Sequence, residues 1–444
     1  MKIVIIGANH AGIAATNTLI NNYKEHQITL IERNSNISYL GCGTALWVGR
    51  QIDSYHELFY TSPEDLKKKG AKVYIESSVE DIDFEGKSVF CVKKDGSAFS
   101  VNYDKLILAT GSLPIHPVIP GNDLQNIKFL KLFQEGQEID KLLNDNNIQT
   151  CAVVGAGYIG VEIAEAMRRR GKNVLLFDIA ERSLCGYFDE WHTADMDKIL
   201  ADNGVELHLG ENVSEYKGTN GVVSSIVSSK GEYPVQLVIN SIGFKPNALL
   251  GKEHLQRFDN GAYLVDNHQK TSDDDVYAIG DCATIYSNAL QQTTYIALAT
   301  NAVRSGIIAG HNVSGTKLDA IGVQGSNGIS VYGYNMVSTG ISAETAKKHG
   351  IDVKTTRWED LQKPVFIKHN NEKVKISIIY EATSRRIVGA QISSRFDMSA
   401  QINLFSLAIQ EKLTIDKLAL LDIFFLPHFD QPYNYITMAA LSAE

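Results

Sequence analysis

Two glycine-bearing turns, each joining a short apolar run to a helix, constrain this chain more than any other feature of it. Residues 2–6 form a β-branched run that meets Gly7-Ala8-Asn9-His10-Ala11-Gly12, and a helical pattern follows through Ile13, Ala14, Ala15, Leu19 and Ile20. A second strand over 28–31 ends at Glu32. The pattern then repeats. Residues 151–154 meet Gly155-Ala156-Gly157-Tyr158-Ile159-Gly160, a helix runs through Glu165 to Arg169, and a strand over 173–177 ends at Asp178. Each unit predicts a βαβ fold in which a pyrophosphate sits on a helix N-terminus and a terminal acid meets a ribose hydroxyl. Asn9 stands where the second glycine of the first turn normally would; the second turn has all three. Two units predict two dinucleotide sites. Asp178 would accept the ribose hydroxyls of NADH and repel the extra phosphate of NADPH, so NADH is the expected nucleotide.

The stretch Ile37-Ser38-Tyr39-Leu40-Gly41-Cys42-Gly43 follows the first unit and precedes a helix start at Thr44. A cysteine between glycines lets the backbone pass close to a flat ligand, and a thiol at a helix N-terminus tends to lose its proton. Cys42 is therefore the candidate nucleophile, against the alternative of a small buried packing residue. The other cysteines, Cys91, Cys151, Cys185 and Cys282, are widely spaced, with no C-x-x-C and no ligand-like His/Cys cluster. That spacing predicts a single redox thiol and no metal site.

With 444 residues the chain has room for two or three domains. A net charge of −9, with Arg168-Arg169-Arg170 as the densest basic run, argues against nucleic acid as a partner. The N-terminal apolar run is too short for a signal peptide and nowhere do about eighteen apolar residues run together, so no membrane association and a cytoplasmic location are expected.

Tyr103 to Gly111 reads as a strand ending in Ala109-Thr110-Gly111. Val276-Tyr277-Ala278-Ile279-Gly280-Asp281 reads as another, where the Asp281 carboxylate could hold a ribityl hydroxyl, cap a helix, or both. Pro114, Pro117, Pro120 and Gly121 suggest a crossing into the second unit, and Gly243-Phe244-Lys245-Pro246 a return from it. From about Ile321 the texture changes to an α+β domain, with strands over 330–332, 373–380 and 386–391 and helices near 343–349 and 399–410. It ends in an aromatic tail over 424–435 that could cap its own core or make an interface.

Taken together, Asn9-His10-Ala11-Gly12, Leu40-Gly41-Cys42-Gly43, Ala109-Thr110-Gly111, the second glycine turn, Ala278 to Asp281, Leu298-Ala299-Thr300-Asn301-Ala302 and the tail resemble one group along essentially the whole chain. It is the single-cysteine branch of the FAD-dependent pyridine nucleotide-disulfide oxidoreductases, which holds NADH oxidases, NADH peroxidases and coenzyme A-disulfide reductases. The resemblance implies an α/β chain with two Rossmann-like domains, for FAD (1–113 and 244–320) and NADH (114–243), and a C-terminal α+β dimerisation domain (321–444). It implies FAD along the first unit, with Gly7 and Ala11 near the pyrophosphate, Gly12 in the turn and Glu32 on the adenosine ribose. Arg33, Cys42, Val79, Thr110, Gly111, Asp281, Leu298 and Ala299 match further flavin-contacting positions. NADH would use Gly155, Gly157, Ile159, Gly160, Asp178, Tyr187 and Gly243, and Tyr158 matches an aromatic that covers the flavin in relatives until NADH displaces it.

By the same resemblance Cys42 and His10 are catalytic, with His10 moving a proton as the sulfur changes state. The expected reaction is reduction of O2 to water by NADH through FAD and a Cys42 thiolate/sulfenic acid cycle, in a homodimer or a tetramer of two such pairs. Reduction of H2O2 by NADH uses the same residues and is the alternative, followed by coenzyme A-disulfide reduction. From a different class, a redox-sensing or electron-transfer flavoprotein would share both nucleotide units without needing the thiol.

Overall fold

Each apolar run that precedes a glycine turn becomes the middle strand of a five-stranded parallel sheet in the computed structural model, which describes residues 1–444. Lys2–Ile6 lies between Gln27–Ile31 and Lys105–Leu108, with Lys72–Tyr74 and Val276–Ala278 at the two edges. Thr150–Val154 lies between Asn173–Asp178 and Leu237–Asn240, with Val205–Leu209 and Ile127–Phe129 outside them. Strands buried on both faces carry near-continuous apolar runs, which is why Ile3, Val4, Ile5 and Ile6 are all buried rather than alternating.

The first sheet is assembled from two separated stretches, because its edge strand at Val276–Ala278 follows the whole second unit. The chain leaves through Ser112–Pro114 and returns through Phe244–Pro246, and these two segments pair antiparallel. Pro114 and Pro246, both expected to mark the crossings, thus lie in paired segments, whereas Pro120 and Gly121 run on to the backbone of Tyr216. A three-stranded antiparallel sheet flanks each unit, at Ser77–Asp83 to Ala98–Asn102 and at Val213–Thr219 to Glu232–Pro234.

The C-terminal part is a five-stranded antiparallel sheet in the order Asn327–Val331, Tyr334–Gly340, Ile387–Ser394, Lys373–Glu381, Val353–Leu361. Tyr334–Gly340 and Val353–Leu361 have no counterpart in the sequence expectation: the first is interrupted by Asn and Ser, and the second is a polar edge strand carrying Lys354, Arg357, Glu359 and Asp360. The helix expected from 399 begins as a 3-10 turn, Ser399–Gln401, and becomes α only over Ile402–Gln410. The tail leaves Phe424, Phe425, Leu426, Phe429 and Tyr433 exposed before the chain ends in the helix Tyr435–Leu441. No helix is long and apolar enough to cross a membrane.

The second unit is docked on this C-terminal sheet through a buried polar seam. Asp189 N donates to Gln391 Oε1 at 2.9 Å, and Gln391 Nε2 returns a bond to Asp189 Oδ2 at 3.0 Å. Next to it, the fully buried His192 bonds Ser393 Oγ at 2.8 Å and Ser377 Oγ at 2.9 Å, one with each ring nitrogen. Burial, with help from Lys375 and Arg357, pushes the imidazole pKa down from 6.5 to about 3. A neutral ring suits two hydroxyls that can each donate or accept, whereas a protonated ring would be a buried cation. An unfolded His192 takes up a proton near pH 6.5 and the folded one does not until about 3, so its contribution is intact above 6.5 and is lost as pH falls through that window. His192→Gln is expected to flatten the fall of the denaturant midpoint between about pH 6.5 and 4, where one fewer proton distinguishes the two states. Identical slopes in the two proteins would remove His192 from the acid response.

Candidate active site

Three helix N-termini open onto one cavity of about 760 Å³. The helix His10–Asn22 starts from Asn9, Tyr158–Arg169 from Gly157, and Ala299–Val313 from Leu298; none has a side-chain cap or an acid in its first turn. Uncapped first-turn amides with no carboxylate of their own present partial positive charge to whatever fills the space. The cavity lies within the span usual for small-molecule sites, roughly 300–1,000 Å³. These features fit anionic dinucleotides.

The glycine turns shape the walls by letting backbone touch backbone. Gly7 has φ +104°, and a Cβ there would fall 2.1 Å from the Ala109 carbonyl oxygen, which is how the first turn and the Ala109-Thr110-Gly111 turn close on each other. A Cβ on Gly12 would lie 1.8 Å from the Gly7 oxygen, and one on Gly160 the same distance from the Gly155 oxygen. Each helix is thereby seated against its own turn. Gly43 has a different reason to be glycine, since its Cβ would meet Leu58 Cδ2 at 2.4 Å, a packing contact and not a ligand contact.

Of the residues singled out from sequence, Gly7, His10, Ala11, Glu32, Arg33, Cys42, Val79, Thr110, Gly111, Gly157, Tyr158, Ile159, Tyr187, Gly243, Asp281, Leu298 and Ala299 line this one cavity. Gly12, Gly155, Gly160 and Asp178 do not line it. Both terminal acids are tied to the turn they follow. Glu32 Oε2 accepts Ala8 N at 2.8 Å while Oε1 accepts Asn34 N and Nδ2; burial nonetheless raises its pKa. Asp178 Oδ2 accepts Ala156 N at 2.6 Å and Oδ1 accepts Ala180 N at 2.8 Å, so its carboxylate braces the second turn.

Cys42 occupies a single 3-10 turn, Gly41–Gly43, ahead of a helix only five residues long, Thr44–Val48. Its surface is exposed where it opens into the cavity, while the surrounding walls take part of its hydration, and the thiol pKa is raised, by burial first and by the Glu162 carboxylate second; Lys131 opposes this. The expectation of a thiol acidified by a helix N-terminus is thus corrected for the chain by itself. Five residues carry little dipole, and desolvation with a nearby carboxylate outweighs it.

His10 begins the first helix, its ring stacked on Tyr60 at 5.9 Å between centroids, with Nδ1 3.2 Å from the Tyr60 hydroxyl. Burial lowers its pKa, Asp281 pulls it back up, and Lys131 lowers it again. Asp281 does not cap a helix: its Oδ2 accepts Ser112 Oγ at 3.0 Å and pairs with Lys131 Nζ at 3.4 Å, while Lys131 Nζ also donates to Ser112 Oγ at 2.8 Å.

Lys131, Ser112, Glu162 and Asn327 also line the cavity and were not singled out from sequence. Lys131 sits in the unremarkable run Phe129-Leu130-Lys131-Leu132, and no local pattern marks it. Glu162 carried a signal that could have found it, since it lies four residues after Tyr158 and shares that residue's helix face. Its carboxyl is raised to about 7 by burial and by Glu165. Glu162→Gln is expected to lower the Cys42 pKa and to speed alkylation of the reduced thiol by iodoacetamide about threefold at pH 8. An unchanged pH profile of alkylation would show that the carboxylate does not reach the sulfur.

Comparison with known proteins agrees with this architecture. The family described as pyridine nucleotide-disulphide oxidoreductase matches residues 1–306, and its dimerisation domain matches residues 328–434. An NADH oxidase of Lactococcus lactis subsp. cremoris is 58% identical over all of both chains, and one of Streptococcus pyogenes serotype M6 is 52% identical over 100% of this chain and 99% of its own. Among solved structures, a water-forming NADH oxidase from Lactobacillus brevis bound to NADH superposes with a TM-score of 0.96 at 36% identity, covering 100% of this chain and 98% of that one. With paired glycine turns on two parallel sheets and both family domains matched in order, this chain belongs to the pyridine nucleotide-disulphide oxidoreductases.

Proposed function

We propose that the chain is an FAD-dependent NADH oxidase that carries O2 to water, with Cys42 as its redox thiol and His10 as the group that exchanges protons with it. The observation that carries this reading is the gathering of Cys42 and His10 with residues of both glycine turns around a single cavity. Full-length likeness to NADH oxidases supports the same activity. Residues 1–113 and 244–320 are assigned to FAD, 114–243 to NADH and 321–444 to dimerisation.

In this reading Gly7, Ala11 and the free amides of the first helix hold the FAD pyrophosphate, Glu32 the adenosine ribose and Asp281 a ribityl hydroxyl. Gly157, Ile159, Tyr187 and Gly243 line the path of NADH, and Asp178, by bracing the second turn beside the adenosine ribose, disfavours a 2′-phosphate. FAD supplies hydride acceptance from NADH and two-electron transfer onward to oxygen and to sulfur. Cys42 thiolate attacks one oxygen of peroxide held in the cavity; the O–O bond breaks, the sulfur becomes a sulfenic acid and hydroxide leaves as water with one proton. Two electrons and a proton then return the sulfenic acid to thiolate and release a second water. His10, neutral near pH 7 because burial lowers its pKa, takes the thiol proton at the start and returns one as oxygen leaves. Lys131 beside Asp281 supplies the positive charge that opposes Glu162 at the sulfur.

The exposed aromatic tail and the matched dimerisation domain support a homodimer. A further pairing into a tetramer and a cytoplasmic location complete this reading. The test is NADH consumption and oxygen uptake followed together in a sealed cell, with catalase added at the end. About two NADH per O2 and no oxygen returned are expected from a four-electron reduction. NADH oxidation that starts only when H2O2 is supplied would make the chain a peroxidase instead.

A further inference from the structure

The Tyr158 ring stands in the cavity wall, packed on Tyr187 at 4.3 Å between centroids and edge-on to Phe188 at 6.4 Å. Both neighbours belong to its own nucleotide unit. Its hydroxyl leaves that unit and donates to Asn327 Oδ1 on the first strand of the C-terminal sheet.

That acceptor is held on every side. Asn327 Nδ2 donates to the Gly325 carbonyl at 2.7 Å, which fixes the amide orientation and turns Oδ1 toward the hydroxyls. The buried Ser338, its cross-strand partner in the antiparallel ladder, donates Oγ to the same Oδ1 at 3.0 Å. Two hydroxyls therefore use both lone pairs of one rigid carbonyl. The Tyr158 phenol keeps its proton, since burial raises its pKa well above 10, and so remains a donor at every working pH. Glu162, Tyr187 and Ser338 are the polar and titratable groups that face it.

We propose that Asn327 is a latch for Tyr158: it holds the ring in its closed place by a hydrogen bond that exists only there, so that nucleotide entry must break a bond to the C-terminal domain. The proposal rests on the reading in which NADH displaces the Tyr158 ring. A state that must be left before ligand binds lowers apparent affinity by its own population, and a ligand gains that factor back when the state is weakened. One net hydrogen bond to a rigid neutral acceptor corresponds to about fivefold. The latch also puts the gate of one unit under the control of a strand in another, because any shift of Asn327–Val331 against the Tyr158 helix moves the acceptor.

The experiment is calorimetric titration of the oxidised, FAD-loaded protein with NAD⁺, which binds without turnover. Asn327→Ala and Tyr158→Phe each remove the bond from one side while keeping an aromatic ring at position 158. Each is expected to bind NAD⁺ about fivefold more tightly, and the double variant no more tightly than either single one, since both delete one interaction. A side chain that is merely structural would weaken binding and combine additively. Tyr158→Phe removes only an oxygen, so it keeps the test decisive if Asn327→Ala folds poorly. Tyr158→Ala separates the two ideas. Tighter binding by Tyr158→Ala with unchanged single variants would sink the latch and leave the displaced ring standing; no change in Tyr158→Ala would overturn both.

Discussion

Cys42→Ser is expected to release hydrogen peroxide, with NADH still consumed, where the proposed reaction of the unaltered chain releases water. The serine hydroxyl matches the thiol in shape, and both turn glycines stay as they are, so the cavity and its helix N-termini are left intact. What is lost is the atom that can be oxidised and reduced again: an alkoxide of pKa far above any working pH does not take oxygen from peroxide as a thiolate does. NADH consumed per O2 should fall from about two towards one, and catalase added at the end should return half the oxygen. The other four cysteines offer no substitute, since Cys91, Cys151 and Cys282 are buried and Cys185 does not line the cavity. Water as the sole product from Cys42→Ser would mean that the second half of the reduction does not pass through this sulfur.

Gly7→Ala is expected to yield protein without flavin, or none that folds. Two costs add at one position. The backbone sits at φ +104°, a conformation that only glycine adopts freely, and the new Cβ would lie 2.1 Å from the Ala109 carbonyl oxygen and 2.8 Å from its carbon. Neither contact is the end of a flexible side chain, so relief requires parting the strands Lys2–Ile6 and Lys105–Leu108, which are adjacent in the first sheet. A loss of more than about 3 kcal/mol follows from strain plus backbone overlap. Flavin absorbance per protein chain and the thermal midpoint measure it. Gly157→Ala is the control: its φ is negative and a Cβ there meets nothing within 4 Å, so the fold should tolerate it. A yellow, stable Gly7→Ala protein would refute the account of how the first turn closes.

The parts of this molecule that were legible in the sequence are those whose causes are local. Residues 2–6 and 151–154 announce buried parallel strands because their apolar residues run on without alternation, and the glycines that follow announce turns in which a helix starts against its own strand. The repeat of that pattern was enough for two sheets of the same kind, the change of texture near Ile321 marked a separate α+β domain, and the resemblance added its dimerisation role, which the matched family domain bears out. Two C-terminal strands escaped, Tyr334–Gly340 and Val353–Leu361, because their residues suit a strand only when neighbouring strands supply the hydrogen bonds and the covered face.

The site divides along the same line. A chain of this sequence was bound to place Gly7, His10 and Ala11 at one helix N-terminus and Gly157, Tyr158 and Ile159 at another, since those positions follow from spacing alone. That the two turns share a cavity with Cys42 was decided by the packing of the two sheets. So was the ionisation of the thiol: the glycine-flanked cysteine before a helix suggested an acidic sulfur, but desolvation by distant walls and the Glu162 carboxylate move it the other way. Lys131 beside Asp281, and Asn327 beneath the Tyr158 hydroxyl, come from segments far apart in the chain. Local sequence determines backbone conformation, because φ, ψ and side-chain volume act over a few residues. Electrostatics and hydrogen bonding across a cavity depend on which segments meet there, and only the tertiary structure brings those segments together.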